Sequence, residues 1–193
     1  YEELTKSAPN EYHEKALVRL IRISQIEDRL NTSKDYLEEL LSVATFDENK
    51  EFAQLNLMQV YFRQNNFKKA LEISQTVLDK ENLIERLKWD ALTIQARSAK
   101  AINDTLISIK SYEALESSPK GTIAAEALYF RALREHNNSN LEKSNNTIIK
   151  IASIQKGGIW NAKALFLLAK NFHLLKDPFQ ANYIWESLLK TDP

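Results

Sequence analysis

Side chains able to do acid–base or metal chemistry are few and scattered. His13, His136 and His173 are the three imidazoles of the chain, and none has a second histidine or any cysteine close in sequence. His136 and His173 stand 37 residues apart. If the chain repeats with that spacing they share one surface, where they could hold a metal ion or an anion. Two polar residues closing successive helices is the simpler reading and is preferred. There is no cysteine, hence no disulfide, thiolate metal site or cysteine nucleophile. The adjacent acids Glu2-Glu3, Glu38-Glu39 and Asp47-Glu48 point to different parts of a helix surface. Asp47-Glu48 suits the positive start of a helix better than a general acid–base pair. Gly157-Gly158 is a lone doublet that reads as a linker, and no phosphate loop, nucleophile elbow or zinc signature occurs. The chemistry on offer is surface contact; the expectation is no enzyme, no metal and no cofactor.

Composition narrows the class of partner. Lys+Arg and Asp+Glu are equal at 26 each. A net charge near zero argues against a bulk electrostatic grip on nucleic acid or an anionic membrane, while leaving room for a local basic patch. With 44% hydrophobic residues a core can form, and 3 Gly and 4 Pro favour an all-helical chain. No run approaches the ~20 apolar residues that span a bilayer, so no direct membrane insertion is expected. The chain starts at Tyr1 without Met and reads as a segment of a longer or processed protein.

The elements that must position any surface are clearest in residues 157–193. Leu165, Leu168, Ala169 and Phe172 fall at helical spacing, Lys176-Asp177-Pro178 interrupts, and Ala181, Ile184, Trp185 and Leu188 repeat the pattern. Asp177 can cap the second helix, and Pro178 fits its first position. Ala169 and Ala181 let two antiparallel helices approach closely, with Phe172 and Trp185 beside the crossing. Earlier pairs follow the same plan. Residues 1–8 read as a frayed lead-in or the tail of a preceding helix. A first helix is expected over roughly 10–29, with Asn31-Thr32-Ser33 as its turn and Tyr36 where later copies carry a small residue. Asp47 is the expected N-cap of the third helix. Asn65-Asn66, Asn103-Asp104 and Asn137 to Asn140 are expected turns, and Ser118-Pro119 is expected to start a helix as Asp177-Pro178 does.

Subtraction sets the register. The small residues of successive second helices, Ala70, Ser108, Ser144 and Ala181, are separated by 38, 36 and 37. The first-helix slots Met58, Ala96, Ala132 and Ala169 show the same gaps. Helix, short turn, helix at this period resembles the tetratricopeptide repeat, whose period is about 34 residues; the surplus falls in loops, where insertion is cheap. The expected fold is an all-α, right-handed superhelical solenoid of about five antiparallel helix pairs. It forms one array over 1–193, with repeats near 9–46, 47–81, 82–118, 119–155 and 156–193.

Over residues 119–193 a narrower likeness emerges. Trp160, Ala162, Lys163, Leu168 and Ala169, followed by Phe179, Gln180 and Ala181, resemble a late repeat of the large tetratricopeptide-repeat proteins of Bacteroidota. That resemblance implies an exported protein, periplasmic or associated with the outer membrane, scaffolding an envelope assembly and carrying further repeats. A cytoplasmic location is the alternative. The resemblance supplies no catalytic residue.

In such folds the first helices line the concave side. By register the expected partner-binding positions are Arg22, Gln25 and Arg29; Leu55, Gln59, Phe62 and Arg63; Thr93, Arg97 and Lys100; Tyr129, Leu133 and His136; and Phe166, Lys170 and His173. Basic groups with interspersed aromatics suit an extended peptide or a partner protein, and no nucleic acid. The Lys/Asn/Arg clamp of chaperone-binding tetratricopeptide domains is not reproduced. The alternative is a glycan-binding or enzyme-associated helical solenoid in the periplasm, with Trp89 or Trp160 as stacking platforms.

Overall fold

The computed structural model describes residues 11–190; the lead-in read over residues 1–8 lies outside them. Among the described residues there are ten helices and no strand. They are α1 (Glu11–Ile26), α2 (Leu30–Val43), α3 (Asp47–Arg63), α4 (Phe67–Leu78), α5 (Glu85–Ala101), α6 (Thr105–Leu115), α7 (Gly121–Asn137), α8 (Leu141–Ile154), α9 (Gly158–Leu174) and α10 (Pro178–Lys190). The chain divides into two compact units, residues 1–108 and 109–193. In the first, α1 packs on α2, α2 on α3, α3 on α4, and α5 on both α3 and α4. In the second, α7 packs on α8, α9 on both, and α10 on α9.

Five turns set the repeat. Asp28, Asn65, Asn103, Ser139 and Lys176 have φ of 54°, 58°, 61°, 60° and 61°, each as the middle of three residues joining two helices. In each turn the following residue donates its N–H back to a carbonyl five residues earlier. Arg29 bonds Ser24 (2.8 Å), Asn66 bonds Tyr61 (2.8 Å), Asp104 bonds Ala99 (2.8 Å), Asn140 bonds Glu135 (2.9 Å) and Asp177 bonds Phe172 (2.9 Å). This left-handed closure satisfies carbonyls at the end of the first helix and reverses the chain within three residues.

Counting from these turns exposes a slot stronger than those used to set the register. Twelve residues before each left-handed residue stands an alanine: Ala16, Ala53, Ala91, Ala127 and Ala164, all buried. A methyl group at that point lets the first helix sit close against its neighbours. Larger apolar residues fill the remaining space: Leu17, Ile21, Leu37, Leu40, Leu57 and Met58 in the first unit, Leu128, Ile148, Ile151 and Leu167 in the second.

Several expectations need correction. α1 ends at Ile26, and its turn is Glu27 to Arg29; Asn31, Thr32 and Ser33 lie inside α2. The first pair is therefore in register after all. Its small residue is Ser33, fully buried five positions after the turn, as Ala70 is, and Tyr36 is not the equivalent position. Ser108 occupies its slot but is only half-buried, and α6 turns Ser111, Tyr112 and Leu115 inward instead. Asp47 begins α3 rather than capping it, the cap position being Phe46. α7 begins at Gly121, two residues beyond Pro119, while Ser118 Oγ accepts from the Lys120 N–H (3.3 Å). Asp177 does cap α10, its carboxylate accepting from the Gln180 N–H (3.1 Å) with Pro178 as first residue. Gly157 and Gly158 have φ of 81° and 77°, a conformation glycine takes at no steric cost.

Candidate binding face

Five of the twelve residues nominated by register converge in the second unit. Tyr129 and His136 come from α7, and Phe166, Lys170 and His173 from α9. The Phe166 ring meets the edge of Trp185 from α10, with centroids 4.9 Å apart at 79°. Tyr129, Ala162, Lys163, Phe166, Trp185, Leu188 and Leu189 line an open apolar groove of about 690 Å³. A second groove, about 430 Å³, continues past Trp185 and is lined by His136, Lys170, His173 and Leu174.

The charges on this face are all of one sign. Lys163 Nζ lies 4.6 Å from the Trp160 ring centroid, and Lys170 Nζ lies 4.8 Å from that of Phe166. The rings steady both ammonium groups through their electron-rich faces without neutralising them. Among the described residues no carboxylate lines either groove. The cations deeper in this unit are differently engaged. Arg131 bridges Glu135 (3.2 Å) and Glu116 (3.0 Å), and Arg134 reaches Glu113 (2.8 Å). The Glu135 hydrogen bond, with Glu116 behind it, outweighs burial and holds the Arg131 guanidinium above its ordinary pKa. Burial likewise pushes the Tyr129 hydroxyl up.

A buried polar chain supports the face from behind. Asn171 of α9 is fully buried. Its Nδ2 donates to Ser144 Oγ (2.9 Å) and Asn145 Oδ1 (2.8 Å), and Ser144 Oγ donates to the Ala132 carbonyl (2.9 Å). Its Oδ1 is left as acceptor, 2.5 Å from His136 Nδ1. The direction of the chain therefore makes His136 Nδ1 the donor. His136 and His173 do share one groove, as their spacing allowed, although His136 is tied to Asn171. Among the described residues no three His, Cys, Asp or Glu side chains group as metal ligands would.

The other nominated residues lie in the first unit, where Arg22 lines a groove with Tyr12 and Arg19. Arg63 pairs with Asp28 (2.6 Å), Arg29 pairs with Glu27, and Arg22 lies over the Phe52 ring at 5.9 Å. Phe62 packs on the core and meets Phe67 edge-on. Gln59 is exposed, Arg97 half-buried and Lys100 exposed. Of the wider set, Gln25 donates to Asn56 (2.9 Å), Leu55 packs on the core, and Thr93 is buried with its hydroxyl donating to the Trp89 carbonyl.

The register argument missed Trp185, Leu188 and Leu189 because it counted only first helices. It missed Lys163 although Lys163, Phe166, Lys170 and His173 follow one another along one helical face.

No family model matches the chain, and no curated protein matches it. Solved structures do. One, described as MamA protein, superposes with a TM-score of 0.69 at 16% identity, covering 92% of this chain and 90% of that one. A MamA fragment from Desulfovibrio magneticus RS-1 gives 0.70 at 14% identity, covering 95% and 96%. A tetratricopeptide repeat protein from Parabacteroides merdae ATCC 43184 gives 0.71 at 16% identity, covering 91% of this chain and 65% of that one. At these identities the likeness is one of fold. The chain has the tetratricopeptide-like fold, all-α and built from successive helix pairs.

Proposed function

We propose that the chain is a non-enzymatic protein-interaction module that holds a peptide or partner protein on its first-helix face, the concave side of such arrays, within a bacterial envelope assembly. The observation that carries this is the pair of grooves of α7, α9 and α10 that share Trp185, bordered by Lys163, Lys170, His136 and His173 and, among the described residues, by no carboxylate. Such a surface suits a partner that brings apolar side chains to the rings and acceptors to the cations. The helices behind it are stiffened by the Asn171 chain, so docking orders little that is not already ordered. The envelope location rests on the Bacteroidota resemblance of residues 119–193.

Glycan binding fares less well. Trp89 is buried, and the Trp160 ring packs tilted against Tyr129 and edge-on against Phe130, each at 5.5 Å.

A photo-crosslinking phenylalanine analogue placed at Phe166, and separately at exposed Tyr12, tests the face in the native cell. The expected result is a discrete crosslinked protein from position 166 and none from position 12. Equal labelling from both would remove the face. Fractionation of the same cells tests the location, and recovery in the cytosol alone would refute the envelope assignment.

A further inference from the structure

The second helices share an outward face, and α10 departs from its composition. Counting from the left-handed residue of each turn, the third and seventh positions beyond it are exposed in α2 (Asn31, Asp35), α4 (Lys68, Glu72) and α8 (Glu142, Asn146). Each of these helices has a following helix packed on it, α3 on α2, α5 on α4 and α9 on α8. Packing of the next helix therefore leaves these positions open, and polar side chains suit them to water. In α10 the same positions hold Phe179 and Tyr183, 78% and 68% exposed. Among the second helices only α10 has apolar side chains at both. One helical turn apart, the two rings make a strip that continuation of the array in this register does not cover. Neither ring lines the two grooves of the candidate binding face.

The strip is self-complementary about one point. Phe179 and Tyr183 lie two residues either side of Ala181, and Lys176 and Glu186 lie five either side. All four are exposed. A twofold axis over Ala181 sets a second α10 antiparallel to the first. It brings Phe179 against Tyr183 of the other copy and Lys176 opposite Glu186, each contact made twice. Exposed Gln180 and Asn182 change places across the same axis and flank the rings with groups that both donate and accept. The charges fix the direction, since a parallel arrangement opposes lysine to lysine and glutamate to glutamate. A partner of a single charge sign meets repulsion at one end of the strip; a second copy of the chain does not.

We infer that α10 is a self-association surface, on which a second copy of this chain docks antiparallel through Phe179 and Tyr183, with Lys176 and Glu186 paired at the ends. A contact of one helix face on another is small, so the dimer is weak and reversible. Two joined copies present the proposed binding face twice, which raises avidity for a partner with two sites, but the association itself does not depend on that face.

Sedimentation velocity of the full 193-residue chain, from low micromolar to near-millimolar concentration, tests the surface. The mass should move from the 22.3 kDa of one chain toward twice that value. The exposed double substitution F179S/Y183S should raise the dissociation constant at least about tenfold. Lys176→Glu and Glu186→Lys should each weaken the dimer by setting like charges together, and the combined K176E/E186K should restore it. Leu189→Asp, in the groove beside Trp185, should leave it unchanged. Thermal melts matching the parent separate a lost contact from a lost fold.

A monomer at every concentration would overturn the inference. So would a dimer that survives F179S/Y183S but is lost with Leu189→Asp, which is end-to-end stacking of arrays. Failure of K176E/E186K to restore the dimer would remove the antiparallel pairing. Flotation of the chain with phospholipid vesicles, lost in F179S/Y183S and unaccompanied by dimerisation, would make a lipid surface the occupant and overturn the inference as well.

Discussion

The two units are built on the same turn and the same buried alanine, but they place their charged groups differently. In the first unit several charges are matched within the molecule. Glu14 of α1 is buried and accepts from the Thr45 N–H (2.8 Å), the Thr45 hydroxyl (2.6 Å) and Asn49 Nδ2 (2.6 Å), which ties the start of α3 to α1. Arg63 and Arg29 each have a carboxylate partner. In the second unit the buried link is neutral, running through Asn171, while Lys163 and Lys170 lie on aromatic rings with no carboxylate among the described residues lining their grooves. A charge satisfied at home has little left to offer a partner. Both units hold ion pairs of their own, and the difference lies in the candidate cations: Arg63 and Arg29 have carboxylate partners, whereas Lys163 and Lys170 rest on rings beside the grooves.

The largest expected effect breaks the neutral link. Asn171→Ala strips Asn145 Oδ1 of its donor and His136 Nδ1 of its acceptor, and should cost about 3 kcal/mol. One of the equivalent positions in the first unit is Val60, which is buried but apolar. Val60→Ala loses only two methyl groups and should cost about 1.5 kcal/mol. Chemical denaturation of both variants measures the difference. Hydrogen exchange should show the Asn171 loss concentrated in α7 to α9, and equal costs would mean the polar chain adds nothing beyond packing.

Next comes the charged link of the first unit. Burial alone would raise the Glu14 pKa. The hydrogen bonds from the Thr45 and Asn49 side chains and the Thr45 N–H together overcome this and hold it below its ordinary 4.5. A carboxyl depressed by folding contributes stability above its unfolded pKa and loses it as pH falls through the folded value. Glu14→Gln should therefore cost about 2 kcal/mol at neutral pH, and the gap to the parent should narrow as pH drops below that ordinary value. Asn171→Ala should show no such narrowing through a carboxylate. Urea denaturation across acid pH compares the two, and a pH-independent gap for Glu14→Gln would deny the carboxylate its role.

A smaller effect compares the turns. Lys176 and Asn65 hold the same left-handed conformation, φ 61° and 58°. Asn tolerates it through its short polar side chain, whereas Lys bears the full steric cost. Lys176→Gly should stabilise by about 1 kcal/mol and Asn65→Gly by only a few tenths. Thermal denaturation of both substitutions should show the larger rise for Lys176→Gly.

These turns also show what could be read in advance. Spacing alone recovered the repeat, since a fixed period survives any choice of residue at each slot. Residue type marks the turns at Asn65, Asn103, Ser139 and Lys176, which fall inside the expected breaks, but not the first, where Asp28 rather than Asn31-Thr32-Ser33 is left-handed. Ala16, Ala53, Ala91, Ala127 and Ala164 form a five-fold spacing more uniform than the slot that begins at Met58. Register also brought Tyr129, His136, Phe166, Lys170 and His173 to one face, because equivalent positions on neighbouring helices must be adjacent. It could not see that Asp28 neutralises Arg63, or that α10 supplies Trp185. Such contacts depend on side-chain direction across a turn rather than on spacing.

The smallest expected effect sharpens the comparison most cheaply. The Arg63–Asp28 pair is exposed, with side chains 52% and 73% accessible, so solvent screens most of its attraction. A double-mutant cycle with Arg63→Ala and Asp28→Ala should give a coupling of about 0.5 kcal/mol or less, vanishing at high salt. Binding of an acidic helical peptide should be unchanged by Arg63→Ala, because that cation already has a carboxylate and lies outside the groove. The same peptide should lose affinity when Lys170 is changed, at no comparable cost in stability, since Lys170 has only the Phe166 ring to leave. If Arg63→Ala weakened peptide binding as much as Lys170→Ala, pairing within the molecule would not be what distinguishes the two units. The binding surface would then have to include the first helices of both.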